Sequence, residues 1–207
     1  AGTGLSQLRY KLVDIYDVSS NTFTTAKLSE ARGILAGAAA GNKILFAGGV
    51  NDSGFVSKTV DIYDVSSNTF TTSQLSEARY GIAAAAAGNK IVFAGGNNGV
   101  FASKTIDIYD VSTNTFTTAQ LSEARCYLAA AALGNKIVFA GGYNDGGLSK
   151  TVDIYDVSTN TFTTAQLTEA RSNLAAAAAG NKMIFAGGGN PNGGNFSKTA
   201  DIFTLTK

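Results

Sequence analysis

The sequence predicts an all-β fold built from repeated four-stranded units. Three observations carry this. The segment Asp-Ile-Tyr-Asp-Val recurs from Asp14, Asp61, Asp107 and Asp153, with a degenerate copy from Asp201, at intervals of 46 to 48 residues. Each full copy is followed by Asn-Thr-Phe-Thr-Thr, at Asn21, Asn68, Asn114 and Asn160, and then by Glu-Ala-Arg ending at Arg32, Arg79, Arg125 and Arg171. An Ala-rich run, Gly-Asn-Lys and a short apolar run closing on a Gly pair (Gly48-Gly49, Gly95-Gly96, Gly141-Gly142, Gly187-Gly188) complete the unit. A fixed period of this length marks a repeat architecture, in which each unit is one supersecondary element stacked on its neighbours.

Strand one of a unit is the Ala-rich run, such as Ile82 to Ala87. Alanine is the best intrinsic helix former. This run is short, bounded by glycine and set once per unit among strands, so context overrides propensity. Small side chains also suit innermost strands, where units converge on an axis and lateral room is least. Gly88 and Asn89 make a two-residue hairpin turn, both residues being tolerant of positive φ. Strand two is Lys90 to Ala94, ended by the Gly pair. A polar Gly/Asn loop leads to strand three, Thr105 to Val111. Asp110, Ser112, Thr113 and Asn114 supply turn chemistry before strand four, Thr115 to about Gln120. Four short strands in such a unit describe a propeller blade. The chain reads as one domain, 1–207, with units near 1–32, 33–79, 80–125, 126–171 and 172–207, the terminal ones incomplete.

Composition narrows the function classes. Sixteen basic residues stand against 15 acidic ones (Lys+Arg 16, Asp+Glu 15), giving no global field for nucleic acid or an anionic membrane. Apolar residues make up 44% of the chain, enough for a sizeable core. No run approaches the roughly 20 apolar residues of a membrane span. Cys126 is the single cysteine, so no internal disulfide forms, and histidine is absent. The missing histidine removes the commonest general base and transition-metal ligand. No catalytic residue, metal or cofactor is expected.

The order Tyr-Asp, Asn-x-aromatic, Leu, Arg, Gly-Asn-Lys, apolar run, Gly-Gly resembles the kelch repeat across nearly the whole chain. In the third unit it is carried by Tyr109, Asp110, Asn114, Phe116, Leu121, Arg125, Gly134, Asn135, Gly141 and Gly142. The family usually has Trp where this chain has Phe23, Phe70, Phe116 and Phe162. A WD-type propeller is the rival, but no Trp-Asp or Gly-His pair is present. The resemblance implies a kelch-type β-propeller of about four blades in this chain. Strands one, two and four occur four times and strand three five times. Three arrangements follow. The four blades close on themselves; the chain is part of a larger ring of six or seven blades, the usual kelch number; or spare edges pair between chains, giving a homo-oligomer.

Propellers of this family host many activities, so function is sought on the surface. The strand 2–3 and strand 4–1 loops emerge on one face, and differences among the units concentrate there. The candidate ligand-binding residues are Arg32, Ile34, Asn51, Arg79, Tyr80, Asn98, Arg125, Tyr127, Tyr143, Asn144, Arg171, Asn173 and Asn190. Identical placement of the arginines also fits a structural role, pairing with Glu30, Glu77, Glu123 and Glu169 or with carbonyls. Asp64, Asp110 and Asp156 are expected to accept turn N–H bonds. Asn51 and Asn195 stand in glycosylation sequons. Copper-radical oxidases that carry kelch propellers are excluded by the missing histidine, which leaves Cys126 a small filler.

The expected function is a non-catalytic binding or scaffold module whose loop face takes a protein or glycan. One alternative is a structural, self-assembling extracellular protein. Another is a sugar-active enzyme, as in the acidic-sugar epimerases that this fold resembles. Identical Glu/Arg pairs in every unit argue against that last reading, since catalysis breaks such symmetry. Abundant Asn, Thr and Ser with one Cys resemble secreted members of the family.

Overall fold

The computed structural model describes residues 10–189 and 196–205. β1 (Leu12–Asp17) and β2 (Thr22–Lys27) form a two-stranded half-blade. The first full blade is β4 (Ala36–Ala40), β5 (Lys43–Ala47), β7 (Thr59–Asp64) and β8 (Thr69–Gln74), with the short β3 (Arg32–Gly33) paired to β6 (Val50–Asn51). The second is β9 (Ala83–Ala87), β10 (Lys90–Ala94), β11 (Thr105–Asp110) and β12 (Thr115–Gln120). The third is β13 (Ala129–Leu133), β14 (Lys136–Ala140), β17 (Thr151–Asp156) and β18 (Thr161–Gln166), with the short β15 (Tyr143–Asn144) paired to β16 (Gly147–Leu148). The fourth has three strands, β19 (Ala175–Ala179), β20 (Lys182–Ala186) and β21 (Ala200–Thr204). All pairings are antiparallel. No helix among the described residues is long and apolar enough to cross a membrane.

The Ala runs are strands, and their neighbours explain the composition. β4, β9, β13 and β19 lie side by side as the inner strands of successive blades. Ala83, Ala85 and Ala87 face the third blade, while Ala84 and Ala86 face the first. Larger side chains on the middle strands complete each interface. Val92, Ile106 and Ile108 pack on Ile137, Phe139 and Tyr155 of the next blade. Leu45, Val60 and Ile62 pack likewise on Ile91, Phe93 and Tyr109.

The Gly-Asn turn differs from expectation in one respect. Gly88 takes φ 55°, but Asn89 is not in the left-handed region. Positive φ at the first central residue alone is the type II′ pattern. The asparagine serves the blade through its side chain instead. Its amide donates to Asp110 Oδ1 (2.9 Å) and Ser112 Oγ (3.0 Å), tying this hairpin to the strand 3–4 turn. Asp64, Asp110 and Asp156 accept turn N–H bonds as expected, Ser112 N donating to Asp110 Oδ1 at 2.8 Å. Their second oxygens take Lys43, Lys90 and Lys136.

The four blades do not close on one another. The flank of the fourth blade is exposed at Ala175, Ala177, Ile184 and Ile202, and the opposite flank of the first is exposed at Gly37 and Ala39.

Candidate loop-face binding site

Each blade is locked beneath this face by one arginine. Arg125 Nη1 donates to the carbonyls of Gly141 (2.5 Å) and Thr151 (2.7 Å), and Nη2 to Asp153 Oδ2. Asp153 Oδ1 accepts the Ser122 N–H at 2.9 Å. Glu123 lies 3.6 Å from Arg125 Nε and accepts the Ser149 hydroxyl. Arg32, Arg79 and Arg171 repeat the set with Asp61, Asp107 and Asp201. Burial pushes the Arg79 and Arg125 guanidinium groups below their ordinary range, and Asp107 and Asp153 pull them back.

The four arginines therefore lie under the loop face rather than on it, buried to 0–3% exposure. Their main partner is the first Asp of the Asp-Ile-Tyr-Asp motif, with Glu a more distant second. The reason is geometric. The Asp sits mid-strand on the inside of the blade, where a lone carboxylate would be costly without a cation. The Gly pair makes room for this insertion. A Cβ on Gly95 (φ 66°) would stand 2.4 Å from the Arg125 carbonyl oxygen, and one on Gly142 (φ 111°) 2.8 Å from that of Cys126.

The residue after each arginine meets the residue after each Gly pair across a short antiparallel bridge. These pairs are Gly33 with Val50, Tyr80 with Asn97, Cys126 with Tyr143 and Ser172 with Gly189. The two variable loops are thus stitched together on one face. One residue further on, Ile34, Gly81, Tyr127 and Asn173 all take left-handed φ, between 53° and 61°. Their backbones form an inter-blade chain. Gly81 N donates to Ile34 O (3.3 Å), Tyr127 N to Gly81 O (2.9 Å) and Asn173 N to Tyr127 O (2.9 Å). Glycine and asparagine suit this conformation; a β-branched isoleucine is an outlier there. Ile34 is nevertheless 51% exposed.

The Tyr127 ring lies over Gly81 and meets Tyr80 edge-on, centroids 6.3 Å apart. Burial and Tyr80 raise the Tyr127 hydroxyl above its usual pKa, so it is a neutral donor and acceptor at neutral pH. A shallow concavity of about 310 Å³ is lined by Gly81, Ile82, Tyr127, Leu128, Asn173 and Leu174.

The expected asparagines are largely occupied with their own loops. Asn51 Oδ1 accepts the N–H groups of Ser53 and Phe55, Asn98 Oδ1 those of Val100 and Phe101, and Asn144 Oδ1 that of Gly146. Asn190 and Asn195 lie outside the described residues. Cys126 is buried, its thiol pushed up to about 11 by desolvation. The loops also present residues absent from the sequence-based expectation: Phe55, Val100, Phe101 and Phe196 are all exposed, Phe101 at 60%. A Cβ on Gly99 would touch Val56, which places the first two of these loops side by side. Large apolar residues inside Gly/Asn-rich loops were the available signal.

Residues 35–206 match the family model described as the KLHDC2/KLHL20/DRC7 Kelch-repeats domain. The solved structure titled "Structure of YjhT" aligns over 95% of this chain and 73% of that one, with TM-score 0.72 and 14% sequence identity. That likeness shows the propeller fold. A comparison with curated proteins found no match.

Proposed function

Because this chain belongs to the kelch-repeat family, whose domains are in general protein-binding scaffolds, we propose that it is a non-catalytic module that binds a protein partner on its loop face. One observation carries this reading: an identical buried latch in every blade supports a face whose exposed residues differ from blade to blade. Phe55, Val100 and Phe101 are exposed on adjoining loops, and the half-buried Tyr80 and Tyr127 meet edge-on on the same face. Exposed aromatic residues on a rigid frame are the usual anchors of protein interfaces. The Glu/Arg pairs that an acidic-sugar reaction would require are engaged in the latch. Among the described residues no cluster of acidic or sulfur side chains suits a metal ion.

The test uses a partner purified with the wild-type chain and compares its affinity for Phe101→Ser, Tyr127→Ala and Val65→Ser. Val65 is exposed in the strand 3–4 turn, at the opposite end of the blade. The two loop-face changes are expected to weaken binding about tenfold or more, the usual effect of truncating an anchor, and Val65→Ser to leave it unaltered. Equal affinity in all three refutes the assignment.

A further inference from the structure

The loop between β10 and β11 meets two structural demands that together make a reactive pair. Gly99 sits at φ 100°, and a Cβ there would stand 3.2 Å from Val56 Cγ2 of the adjoining loop, so the position calls for glycine. Asn98 caps the turn that follows: its Oδ1 accepts the N–H groups of Val100 and Phe101, each at 3.0 Å. In an asparagine followed by glycine, no Cβ hinders the next backbone nitrogen from reaching the side-chain carbon. Among the described residues no other asparagine precedes a glycine. We propose that Asn98 is a self-modification site, converting to aspartate and isoaspartate in the folded chain at a rate governed by Asn97.

The reaction needs only water. Gly99 N gives its proton to solvent and adds to Asn98 Cγ. The Cγ–Nδ2 bond breaks, and Nδ2 takes a proton from solvent and leaves as ammonia. Water then opens the cyclic imide. Breaking the bond from Gly99 N to Cγ gives aspartate. Breaking the bond from Gly99 N to the Asn98 main-chain carbonyl carbon gives isoaspartate, whose backbone is longer by a methylene. One water is consumed and one ammonia released, with no change of oxidation state.

Two sets of contacts act on this step in opposite senses. The Val100 and Phe101 N–H groups face the oxygen that gathers negative charge as Cγ is attacked, which stabilises the intermediate. Asn97 Oδ1 holds the Gly99 N–H at 2.8 Å and so keeps back the proton that must leave. Asparagines elsewhere are placed differently. Asn42 and Asn89 donate their amides to Asp64, Ser66, Asp110 and Ser112, and precede lysine. Asn68 and Asn114 accept a tyrosine hydroxyl and precede threonine.

The consequence for binding rests on the loop-face reading above. In the first and third blades the equivalent Asn51 and Asn144 are followed by Asp52 and Asp145, whereas the loop of the second blade, 97–101, has no acidic residue. Conversion places a carboxylate beside Val100 and Phe101, which are 72% and 60% exposed. Isoaspartate also lengthens the backbone across the turn that Oδ1 caps. A newly made chain thus presents an apolar loop here, and an aged one a charged loop.

The experiment incubates the full chain at mildly alkaline pH, folded and, in parallel, unfolded in guanidinium chloride. Wild type, Asn97→Ala and Asn97→Asp are compared. The tryptic peptide 91–104 is followed by mass, fragment ions locate the site, and enzymatic methyl transfer reports isoaspartate. Folded wild type is expected to accumulate both products at Asn98 ahead of every other described asparagine. Folded Asn97→Ala is expected to convert about fivefold faster, the worth of one released hydrogen bond. Asn97→Asp keeps an acceptor oxygen and is expected near the wild-type rate, and in guanidinium chloride all three convert alike. Anion exchange then separates converted from unconverted wild type, and the converted fraction is expected to bind the purified partner about tenfold more weakly. Folded wild type that stays unconverted at Asn98 while the unfolded chain converts, or folded Asn97→Ala no faster than wild type or Asn97→Asp, overturns the proposal. Equal affinity of the two fractions overturns the consequence for binding. The loop-face reading stands in that case if Phe101→Ser still weakens binding, and falls with it if Phe101→Ser does not.

Discussion

Replacing Arg125 with alanine tests whether the latch, and not the apolar interfaces alone, holds each blade. The guanidinium is buried and has three strong acceptors: the Gly141 and Thr151 carbonyls and Asp153. Alanine leaves Asp153 buried with the Ser122 N–H as its remaining hydrogen bond. Removing one partner of a buried ion pair costs about 3–5 kcal/mol, because the other charge is stranded. In a domain of this length each kcal/mol moves the melting temperature by about 2–4 °C, so a drop of roughly 10 °C is expected. Thermal and urea unfolding followed by circular dichroism measure it. Glu123→Ala is the comparison: its carboxylate is a third exposed and 3.6 Å away, and its loss should cost no more than about 1 kcal/mol. The double change Arg125→Met with Asp153→Leu removes both charges and should recover much of the loss. An Arg125→Ala protein that unfolds with the wild type, or a double variant less stable than the single, refutes the reasoning.

Three further outcomes follow from the same geometry. Ile34→Gly relieves a non-glycine residue at φ 57°; left-handed backbone costs about 1–2 kcal/mol, so differential scanning calorimetry should show a higher melting temperature while partner binding weakens. Cys126, buried with its thiol raised to about 11, should resist iodoacetamide at neutral pH in the native state and react once urea unfolds the chain. Lysine and serine hydrogen bonds hold Asp64, Asp110 and Asp156 below the usual carboxylate range. Their folded pKa lies below the unfolded value of about 3.9, so the stability they add is fully present above that value and drains away as pH falls toward the folded pKa. The urea midpoint should therefore decline in acid below about pH 4, and Asp110→Asn should make that decline shallower.

The blade was legible because its determinants are local and repeated. The Gly-Asn turn, the Gly pair and the short apolar run from Ile91 to Ala94 act within one hairpin, and four copies reinforced the signal. The Arg–Asp pair was less legible because its members are 28 residues apart in the second and third blades. Spacing alone favoured Glu123, two residues from Arg125, over Asp153. An aspartate inside an otherwise apolar strand, between Val152 and Ile154, was the clue that a cation must reach it. On the loop face, asparagines resembled ligand contacts but serve turn geometry, since a side-chain carbonyl two to four residues from a free N–H finds it first. The exposed phenylalanines carry no such local partner, and only the fold shows that their loops share one face.

The latch also explains how the face can vary. Arg79, Arg125 and Arg171 fix both sides of the loop junction: the side chain grips the carbonyls of its own blade, and the backbone carbonyl receives the N–H of Gly49, Gly96 or Gly142 from the preceding one. The next two residues are then positioned by bonds that do not involve their side chains, namely the bridge across the face and the inter-blade chain through Ile34, Gly81, Tyr127 and Asn173. A position whose backbone is overdetermined in this way tolerates Ile or Tyr at a left-handed φ that would unsettle an isolated loop. Strain at Ile34 and Tyr127 is thus carried by the buried arginine latches beneath the face. Weakening the latch in one blade should loosen that blade's portion of the binding face before it unfolds the chain.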